Sequence, residues 1–575
     1  MDTREWAERA RVVPDGVAAD VNAFVADYYA FHPHSAVWDG LHEHDGAVPD
    51  YSKSAIQRRI TELERWGARF GADGALAATP NDGGVAARSA MSHLGTQTER
   101  DVALVEHARD FELFRWRDWR PHERNPGFYH GALDVSIYVK RSYAPAAERL
   151  AALIRHLHGV RDILAMAREN LRLPLSRPAT EHAIHTYAGL ADFYDHQIRT
   201  AGAALIERGR DATAFTAALG VAIGAVRRFI AFLREQMADP DGDFRLGADL
   251  FAQMIKHGEM VDLPLERVRA ATLEDLAINE AGMAEIAGRM GIAVPEAIAM
   301  LDQARVPEDR VLAVAATAVE ELRAFLADNT IVDLDIARGT TYYTVETPAF
   351  MRAGAAFMDV PGPFERPGQP AYFYVTLPDP AWPASARDAW LAKLNPWGLR
   401  NTAAHETYPG HLLHFLHVAR VPSVAARAFT SYACVEGWAH YAEQMVVEAG
   451  FARGDLRYEL ATRTMAVLRD CRCLVALELH AGNATVQEAT DLIATHTHLA
   501  PIRCRQEAQR GAQDPGYLYY VLGKLMVLKL RADYARQEGQ RYTPKRFHEA
   551  LLACGAPPVP LARRMVLDNP AGDLF

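Results

Sequence analysis

The chain has 575 residues, of which 49% are hydrophobic and 23% are charged. These fractions are typical of a globular protein and exclude a disordered or fibrous chain. Its 62 basic and 73 acidic residues give a net charge of −11, which argues against nucleic acid as a partner, and its five cysteines are too few for a disulfide framework.

The N-terminal residues 2–15 are charged from the start and lack a long apolar core, so they do not predict a secretory signal. The most apolar stretch, residues 211–227, is shorter than the roughly 18 apolar residues that a membrane span needs. We expect a buried helix there, and therefore a cytoplasmic protein that does not contact a membrane. The sequence also allows a homodimer.

Apolar residues recur at helical spacing along most of the chain, which predicts a mainly α fold. The clearest helical segments are residues 55–66, 146–168, 181–207 and 312–329. Proline and glycine separate such segments, and residues 239–242 form the clearest linker. We predict an N-terminal helical half, residues 1–240, and a C-terminal half, residues 241–575, within one continuous domain.

Residues 338–380 differ in composition from the rest of the chain. Two segments, 340–345 and 372–376, are rich in β-branched and aromatic residues and are bounded by glycine and proline, which predicts short strands of a small sheet. We expect the second strand to lie at an edge, where an extended peptide could pair with it. Tyr372 and Tyr374 are therefore candidate substrate-binding residues, and a plain structural hairpin is the alternative.

One stretch of the C-terminal half combines a His-Glu pair with a second histidine. In zincin-type sites two histidines bind zinc, and the glutamate accepts a proton from the attacking water. Those histidines are four residues apart, whereas His405 and His411 are six apart and would point about 120° from one another on a regular helix. We expect Asn401 to cap this helix and Pro409-Gly410 to distort it, so that both histidines can bind one ion.

A second segment, residues 432–443, places Glu436, His440 and Glu443 at i, i+4 and i+7, on one face of a predicted helix. A carboxylate from a second helix completes a two-histidine zinc site and leaves one position open for water. We expect Glu436 to be the third ligand and His440 or Glu443 to orient a ligand histidine. The alternative is a polar network within a helical core.

Two other groups have suitable residue types without a functional pattern. The histidines at positions 32, 34, 42 and 44 could bind a metal, and the alternating basic and aromatic residues at 115–119 could bind nucleic acid. The histidine group lacks a glutamate-bearing helix pattern, and the protein is acidic overall. We therefore expect a solvated loop at the first group and an amphipathic helix at the second.

The HExxPGH arrangement, followed by EGWAHYAE at residues 436–443, resembles the bacterial "domain of unknown function 885" family, which is grouped with the zincin-like metallopeptidases. The resemblance extends over almost the whole chain. Its further elements are residues 40–45, 50–52, 125–129, 469–472, 478–480, 514–516 and 520–523. Leu412, His414 and His440 differ from the residues that are frequent in the family.

The resemblance implies a large helical zincin-like fold with a deep central cleft. It implies that His405, His411 and Glu436 hold a zinc ion and that Glu406 is the general base.

The resemblance also implies that Tyr520 donates a hydrogen bond to the oxyanion, assisted by His480 or Arg472. The segment before Tyr520 is one residue shorter than in the family, so Tyr519 is the alternative donor.

These residues predict a zinc-dependent metallopeptidase whose substrates are peptides or small amides. A second hypothesis is that the same site hydrolyses a non-peptide amide or ester. A third is a helical binding protein that has lost its activity. The presence of all three ligands and of the general base argues against the third hypothesis, because an inactive scaffold does not need a base.

Overall fold

The computed structural model describes residues 16–72, 93–206, 209–238, 242–348, 351–352 and 354–575. Residues 2–15, for which the sequence predicts no secretory signal, and the linker residues 239–241 lie outside the described residues. The fold is mainly α with one small sheet, as the sequence predicts.

The N-terminal part consists of helices that pack around a common core. They are α1 (Val17–Phe31), α2 (Pro33–Trp38), α3 (Lys53–Ala72), α4 (Gln97–Phe114), α5 (Pro121–Arg124), α6 (Ile137–Lys140), α7 (Ala146–Asn170), α8 (Arg177–Phe193), α9 (Arg199–Ala204) and α10 (Gly209–Gln236). The predicted helices 55–66 and 146–168 lie within α3 and α7. The predicted helix 181–207 is instead divided, because a π-helical turn, Tyr194–Ile198, separates α8 from α9.

Further helices precede and follow the sheet. Before it come α11 (Ala248–Glu259), α12 (Leu265–Met290), α13 (Val294–Gln303) and α14 (Val311–Asn329), which contains the predicted helix 312–329. After it come α15 (Ala384–Lys393), α16 (Pro396–Glu406), α17 (His411–Val418), α18 (Val424–Ala428), α19 (Tyr432–Glu448), α20 (Leu456–His480), α21 (Val486–Thr497), α22 (Pro501–Gln513), α23 (Tyr519–Glu538), α24 (Pro544–Leu552) and α25 (Val559–Val566).

The sheet contains β1 (Tyr342–Glu346), β2 (Ala356–Asp359) and β3 (Ala371–Val375) in the order β1-β3-β2. β1 runs parallel to β3 and β2 runs antiparallel to it. β1 and β3 correspond to the two predicted strands, whereas β2 is too short to show an alternating pattern. The prediction that β3 is an edge strand is wrong, because hydrogen bonds to β1 and β2 occupy both of its sides.

Buried apolar side chains form three clusters among the described residues. The first joins the N-terminal helices and also includes Val421, Ala425 and Leu561 from the C-terminal part. The second surrounds the sheet, α16, α19 and α23, and the third lies between α12, α20 and the helices that follow α20. The two predicted halves therefore pack directly on one another, and the boundary near residue 240 stays a prediction.

One helical segment among the described residues, Asp211–Gln236, is long and apolar enough to cross a membrane by length and composition alone. Half of its most apolar window is buried inside the protein. The segment belongs to α10, which packs on α7 and α8 through residues such as Leu219, Val226 and Leu233.

The helices α19 and α23 cross in backbone contact at two glycines. A Cβ atom on Gly523 would lie 1.8 Å from the carbonyl oxygen of Ala433, and one on Gly437 would lie 2.4 Å from the carbonyl carbon of Gly523. Because no side chain separates the two helices, residues that precede Gly523 on α23 lie beside residues of α19. This contact fixes the position of Tyr520 relative to Glu436.

We expect Gly523→Ala to destabilise the protein by about 3 kcal/mol or more, because the added methyl group forces two packed backbones apart. The measurement is the free energy of unfolding from chemical denaturation. Gly220→Ala in α10 is the matched control, since a Cβ atom there meets nothing within 4 Å. That control should gain up to about 1 kcal/mol from helix propensity. Equal stability of the two variants would contradict the backbone contact.

Candidate metal centre

The two histidines of the motif lie on either side of a helix break. α16 begins after Asn395, whose side chain accepts a hydrogen bond from the Gly398 N–H at 2.8 Å. The helix ends at Glu406, and α17 begins at His411. The predicted cap is therefore wrong, since Asn401 lies inside α16. The histidines belong to two separate helices rather than to one distorted helix.

The break is compact because Gly410 packs against the end of α16. A Cβ atom on Gly410 would lie 1.8 Å from the carbonyl oxygen of His405. Trp438 of α19 donates its indole N–H to the carbonyl oxygen of Pro409 at 2.9 Å. The close contact and this hydrogen bond place His411, the first residue of α17, beside His405.

The three predicted ligands converge. The Nε2 atoms of His405 and His411 lie 3.3 Å and 3.5 Å, respectively, from Oε2 of Glu436. The candidate ligand atoms all lie within 4.8 Å of one another. No other group of histidine, cysteine, aspartate and glutamate with this geometry occurs in the described part of the chain.

The chemistry of this group fits a zinc ion. Two imidazoles and one carboxylate form a ligand set of catalytic zinc sites, and the measured separations suit ligand distances of about 2.0–2.2 Å to a shared ion. Oε2 of Glu436 is buried, and no well-aligned hydrogen-bond donor reaches it within the described ranges. A buried carboxylate oxygen that faces two imidazoles without an aligned hydrogen bond is incompletely satisfied, and a bound cation would satisfy it.

Glu443 supports the first histidine from the side opposite the ligand atom. Its Oε1 atom lies 2.7 Å from Nδ1 of His405, which leaves Nε2 free for a metal. Its Oε2 atom accepts hydrogen bonds from the side-chain amide of Asn401 at 2.7 Å and from Nη1 of Arg469 at 2.9 Å. The carboxylate is therefore fixed by two donors and fixes the imidazole in turn.

Charges within the group shift the pKa values of its members. Burial alone lowers the pKa of His405, but Glu436 and Glu443 outweigh this effect and raise it to about 9. Burial acts to raise the pKa of Glu436, whereas His411 and His405 hold it well below its usual range. The opposite directions of the two shifts show that Glu436 and the histidines interact strongly across the site.

Glu406 lies next to these residues at the end of α16 and is 8% exposed. Burial raises the pKa of its carboxyl group, His405 and His411 lower it, and Glu436 adds to the rise. A carboxylate with a raised pKa and little solvent is suited to accept and return a proton.

The two candidate tyrosines point in different directions. The ring of Tyr520 stacks on that of His405, with centroids 6.3 Å apart and an angle of 19° between the planes. The hydroxyl of Tyr519 instead faces Gly258, 3.3 Å from the position that a Cβ atom would take there. Of the alternatives that the sequence left open, the geometry favours Tyr520 as the donor.

The two residues predicted to assist Tyr520 have different positions. The guanidinium of Arg472 lies 5.4 Å from the ring centroid of Tyr520 and donates to Glu507 at 2.8 Å. His480 lies eleven residues beyond Arg469 on α20, about 16 Å along the helix, and its Nε2 atom is 2.8 Å from the carbonyl oxygen of Gly511. The prediction of a direct role for His480 is therefore wrong.

His440 is buried but does not support a ligand. Among the described residues, neither of its ring nitrogens makes a well-aligned hydrogen bond, although the backbone of Tyr520 interacts with the ring. Burial lowers its pKa well below the usual range, and Lys524 and Arg469 lower it further. The ring borders a cavity of about 230 Å³ together with Glu443 and Lys524. Of the two predicted supporting residues, only Glu443 contacts a ligand histidine.

The predicted peptide-binding strand does not have a free edge. Tyr372 pairs with Tyr343 of β1 and Asp359 of β2, and Tyr374 pairs with Val345 of β1 and Phe357 of β2. No substrate strand can add to β3, so the predicted binding role of Tyr372 and Tyr374 through strand pairing is wrong.

The two other groups that the sequence offered, the histidines between positions 32 and 44 and the segment 115–119, have structural roles. His42 lies 3.0 Å from Asp45 and 2.9 Å from Glu365, and Nε2 of His32 lies 3.0 Å from Glu112. The segment Arg115–Trp119 continues α4 as a π-helical turn, and it is amphipathic as predicted, because Trp116 is buried whereas Arg117 and Asp118 are exposed.

Sequence reasoning missed Asn401 and Arg469 as partners of Glu443. A signal for Asn401 was present, because it precedes His405 by four residues and therefore shares its helix face. For Arg469 the signal was a group of charged residues, Arg469, Asp470 and Arg472, between apolar residues of α20.

Two solved structures share this fold. One is described as a "putative lipoprotein of unknown function" from Shewanella oneidensis; it is 20% identical, with a TM-score of 0.76, and the match covers 96% of this chain and 99% of that one. The other is described as a "putative lipoprotein" from Colwellia psychrerythraea; it is 16% identical, with a TM-score of 0.78 and coverage of 95% and 97%. At these identities the likeness concerns the fold alone.

A third structure, an M32 carboxypeptidase from Deinococcus radiodurans R1, is 13% identical and covers 90% of this chain and 96% of its own, but its TM-score of 0.31 is too low to inform the function. The chain matches no curated protein. A family model described as "Bacterial protein of unknown function (DUF885)" matches residues 33–566. The match spans nearly the whole chain, and the protein therefore belongs to the DUF885 family.

Proposed function

We propose that this protein is a zinc-dependent hydrolase that cleaves peptides or small amides. The observation that carries the proposal is the convergence of His405, His411 and Glu436, from three helices, on one point beside Glu406 and Tyr520. The Nε2 atoms of both histidines lie 3.3–3.5 Å from Oε2 of Glu436 without the alignment of a hydrogen bond, which suits three ligands around one ion better than a polar network in a helical core. The ligand set, the adjacent acid and the adjacent phenol together match the requirements of metal-assisted hydrolysis.

A zinc ion held by these ligands would supply Lewis-acid activation of water and of the scissile carbonyl group. Glu406 accepts a proton from the attacking water and returns it to the leaving amine. The phenol of Tyr520 donates a hydrogen bond to the oxygen on which negative charge develops. Glu443 keeps the ring of His405 in the orientation that presents Nε2 to the ion.

Two measurements test this proposal on the purified protein. Metal analysis after zinc supplementation and dialysis should give about one zinc ion per chain. The protein should also cleave peptides of a peptide library into fragments. A panel of non-peptide amides and esters is tested in parallel. Cleavage of the panel and not of the library would favour the second hypothesis. If the protein binds no zinc after supplementation and hydrolyses none of these compounds, the inactive binding protein is favoured and the proposal is contradicted.

Location and partners stay predictions from the sequence. The two structural relatives described as lipoproteins do not favour the predicted cytoplasmic location. The expected absence of nucleic-acid and membrane partners and the allowed homodimer are separate predictions that the site geometry does not address.

A further inference from the structure

Basic side chains from two helices surround the tyrosines beside the candidate metal centre. The guanidinium of Arg472 lies 4.8 Å from the ring centroid of Tyr517, and that of Arg510 lies 4.9 Å from the same centroid. Nη2 of Arg510 also donates to the hydroxyl of Tyr520 at 3.4 Å. Arg510 is thus in direct contact with the phenol that we place at the developing oxyanion.

Arg510 differs from the neighbouring arginines in its ion pairs. Glu507 is paired with Arg472 at 2.8 Å and accepts a hydrogen bond from Tyr517. Arg503, nearby on α22, is paired with Asp302 at 3.1 Å. Arg510, by contrast, forms no ion pair within 4.0 Å among the described residues, although the charges of Asp514 and Glu507 act on it from farther away.

Two neighbouring groups, one basic and one acidic, respond to the charges of these arginines. Lys393 of α15 is half-buried; burial lowers its pKa to about 8, Glu507 opposes this, and the surrounding arginines add to the lowering. Asp514 is the nearest acidic alternative for Arg510, but it accepts a hydrogen bond from the Gly516 N–H at 3.0 Å, and burial raises its pKa. The guanidinium of Arg510 is therefore not used by an ion pair among the described residues, although Asp514 and Glu507 stabilise its charge from farther away.

The region is also open to a ligand from solvent. Tyr432 lies in edge contact with Tyr520, with ring centroids 6.1 Å apart, and is 37% exposed. Arg510 itself is partly exposed. Tyr520 links the parts of this region, because its ring lies beside those of Tyr432 and His405 and its hydroxyl accepts the hydrogen bond of Arg510.

We propose that Arg510 binds a carboxylate of the substrate next to the bond that is cleaved, with Arg472 and Tyr517 forming the adjacent wall. This inference rests on the proposed function, since it names the class of substrate for the same site. The planar guanidinium can hold a carboxylate through two parallel hydrogen bonds. In a peptide, only a nitrogen and a Cα atom separate the C-terminal carboxylate from the last peptide carbonyl, which suits the contact between Arg510 and Tyr520.

The test compares four N-acetylated peptides: one with a free C-terminal carboxylate, its C-terminal amide, and two amides that contain aspartate or asparagine near the cleaved bond. We expect kcat/KM of the wild-type protein to be about 10- to 100-fold higher for a carboxylate than for its neutral analogue, since a hydrogen bond to a charged group has this effect. Preference within the first pair identifies a C-terminal carboxylate, and preference within the second identifies an acidic side chain.

Arg510→Gln should remove the preference, and Arg510→Lys should keep part of it because the charge remains without the two-pronged geometry. Arg505→Gln is the matched control, since Arg505 is exposed on the same helix and should keep the full preference. Equal cleavage of carboxylate and neutral peptides by the wild type, or a full preference in Arg510→Gln, would overturn the proposal.

If neither the peptide library nor the panel nor these four peptides are cleaved, the proposed function fails, and calorimetric binding of the same four peptides to the zinc-supplemented protein decides the inference separately. Tighter binding of a carboxylate peptide that is lost in Arg510→Gln and kept in Arg505→Gln supports the site. Binding without such a preference, or no binding of any peptide, overturns it.

Discussion

Glu436→Gln is expected to lower the affinity for zinc by roughly 10²- to 10³-fold and to abolish hydrolysis at limiting zinc. In the structure, Oε2 of Glu436 lies 3.3–3.5 Å from the Nε2 atoms of both histidines, so it completes the ligand set from a separate helix. An amide oxygen has no negative charge and binds a divalent cation more weakly than a carboxylate does. Competition with a chromophoric chelator measures the affinity.

Two further variants on α19 are compared with Glu436→Gln in their zinc affinity. Glu443→Gln should lower the zinc affinity by about 10- to 100-fold, because Glu443 orients His405 without contacting the ion. Glu448→Gln removes the same charge from the same helix, but its carboxylate pairs with Arg531 at 2.7 Å instead of with a ligand histidine, so zinc affinity should stay unchanged. Equal affinities in Glu436→Gln and Glu448→Gln would contradict the ligand assignment.

The sequence predicted those features that depend on local pattern. Helical periodicity located α3, α7 and α14 within a few residues, because each buries one continuous apolar face. The residue types at 405, 411 and 436 indicated a shared site although the spacing of the histidines was irregular. Two separated motifs with complementary ligand types constrain a site more strongly than either motif does alone.

Features that depend on tertiary contacts were not predicted. Composition indicated that β3 is a strand, but its central place follows from pairing with β2, which is too short to recognise. The spacing of His405 and His411 suggested one distorted helix, whereas the contact of Gly410 with the His405 carbonyl produces two helices. The position of His480 likewise depends on the length of α20, which carries it away from the residues that contact Tyr520.

Glu406→Gln is expected to lower kcat by about 10³- to 10⁴-fold while the zinc content and KM change little. The side chain keeps its shape but can no longer accept a proton from the attacking water. Glu406 is not one of the three converging ligands, so its replacement should leave the metal site intact. Metal analysis and steady-state kinetics on one cleavable peptide, measured on the same preparation, separate loss of the base from loss of the metal.

Glu43→Gln is the matched control for this variant, because Glu43 also follows a histidine directly but is exposed and lies in a short helical turn. It should keep wild-type kcat, which would show that a His-Glu pair acts only where the fold adds His411 and Glu436. If Glu406→Gln kept both its zinc and its full activity, another group would have to move the proton. If it lost zinc and activity together, Glu406 would be a ligand rather than the base, and the assignment of the three ligands would have to be revised.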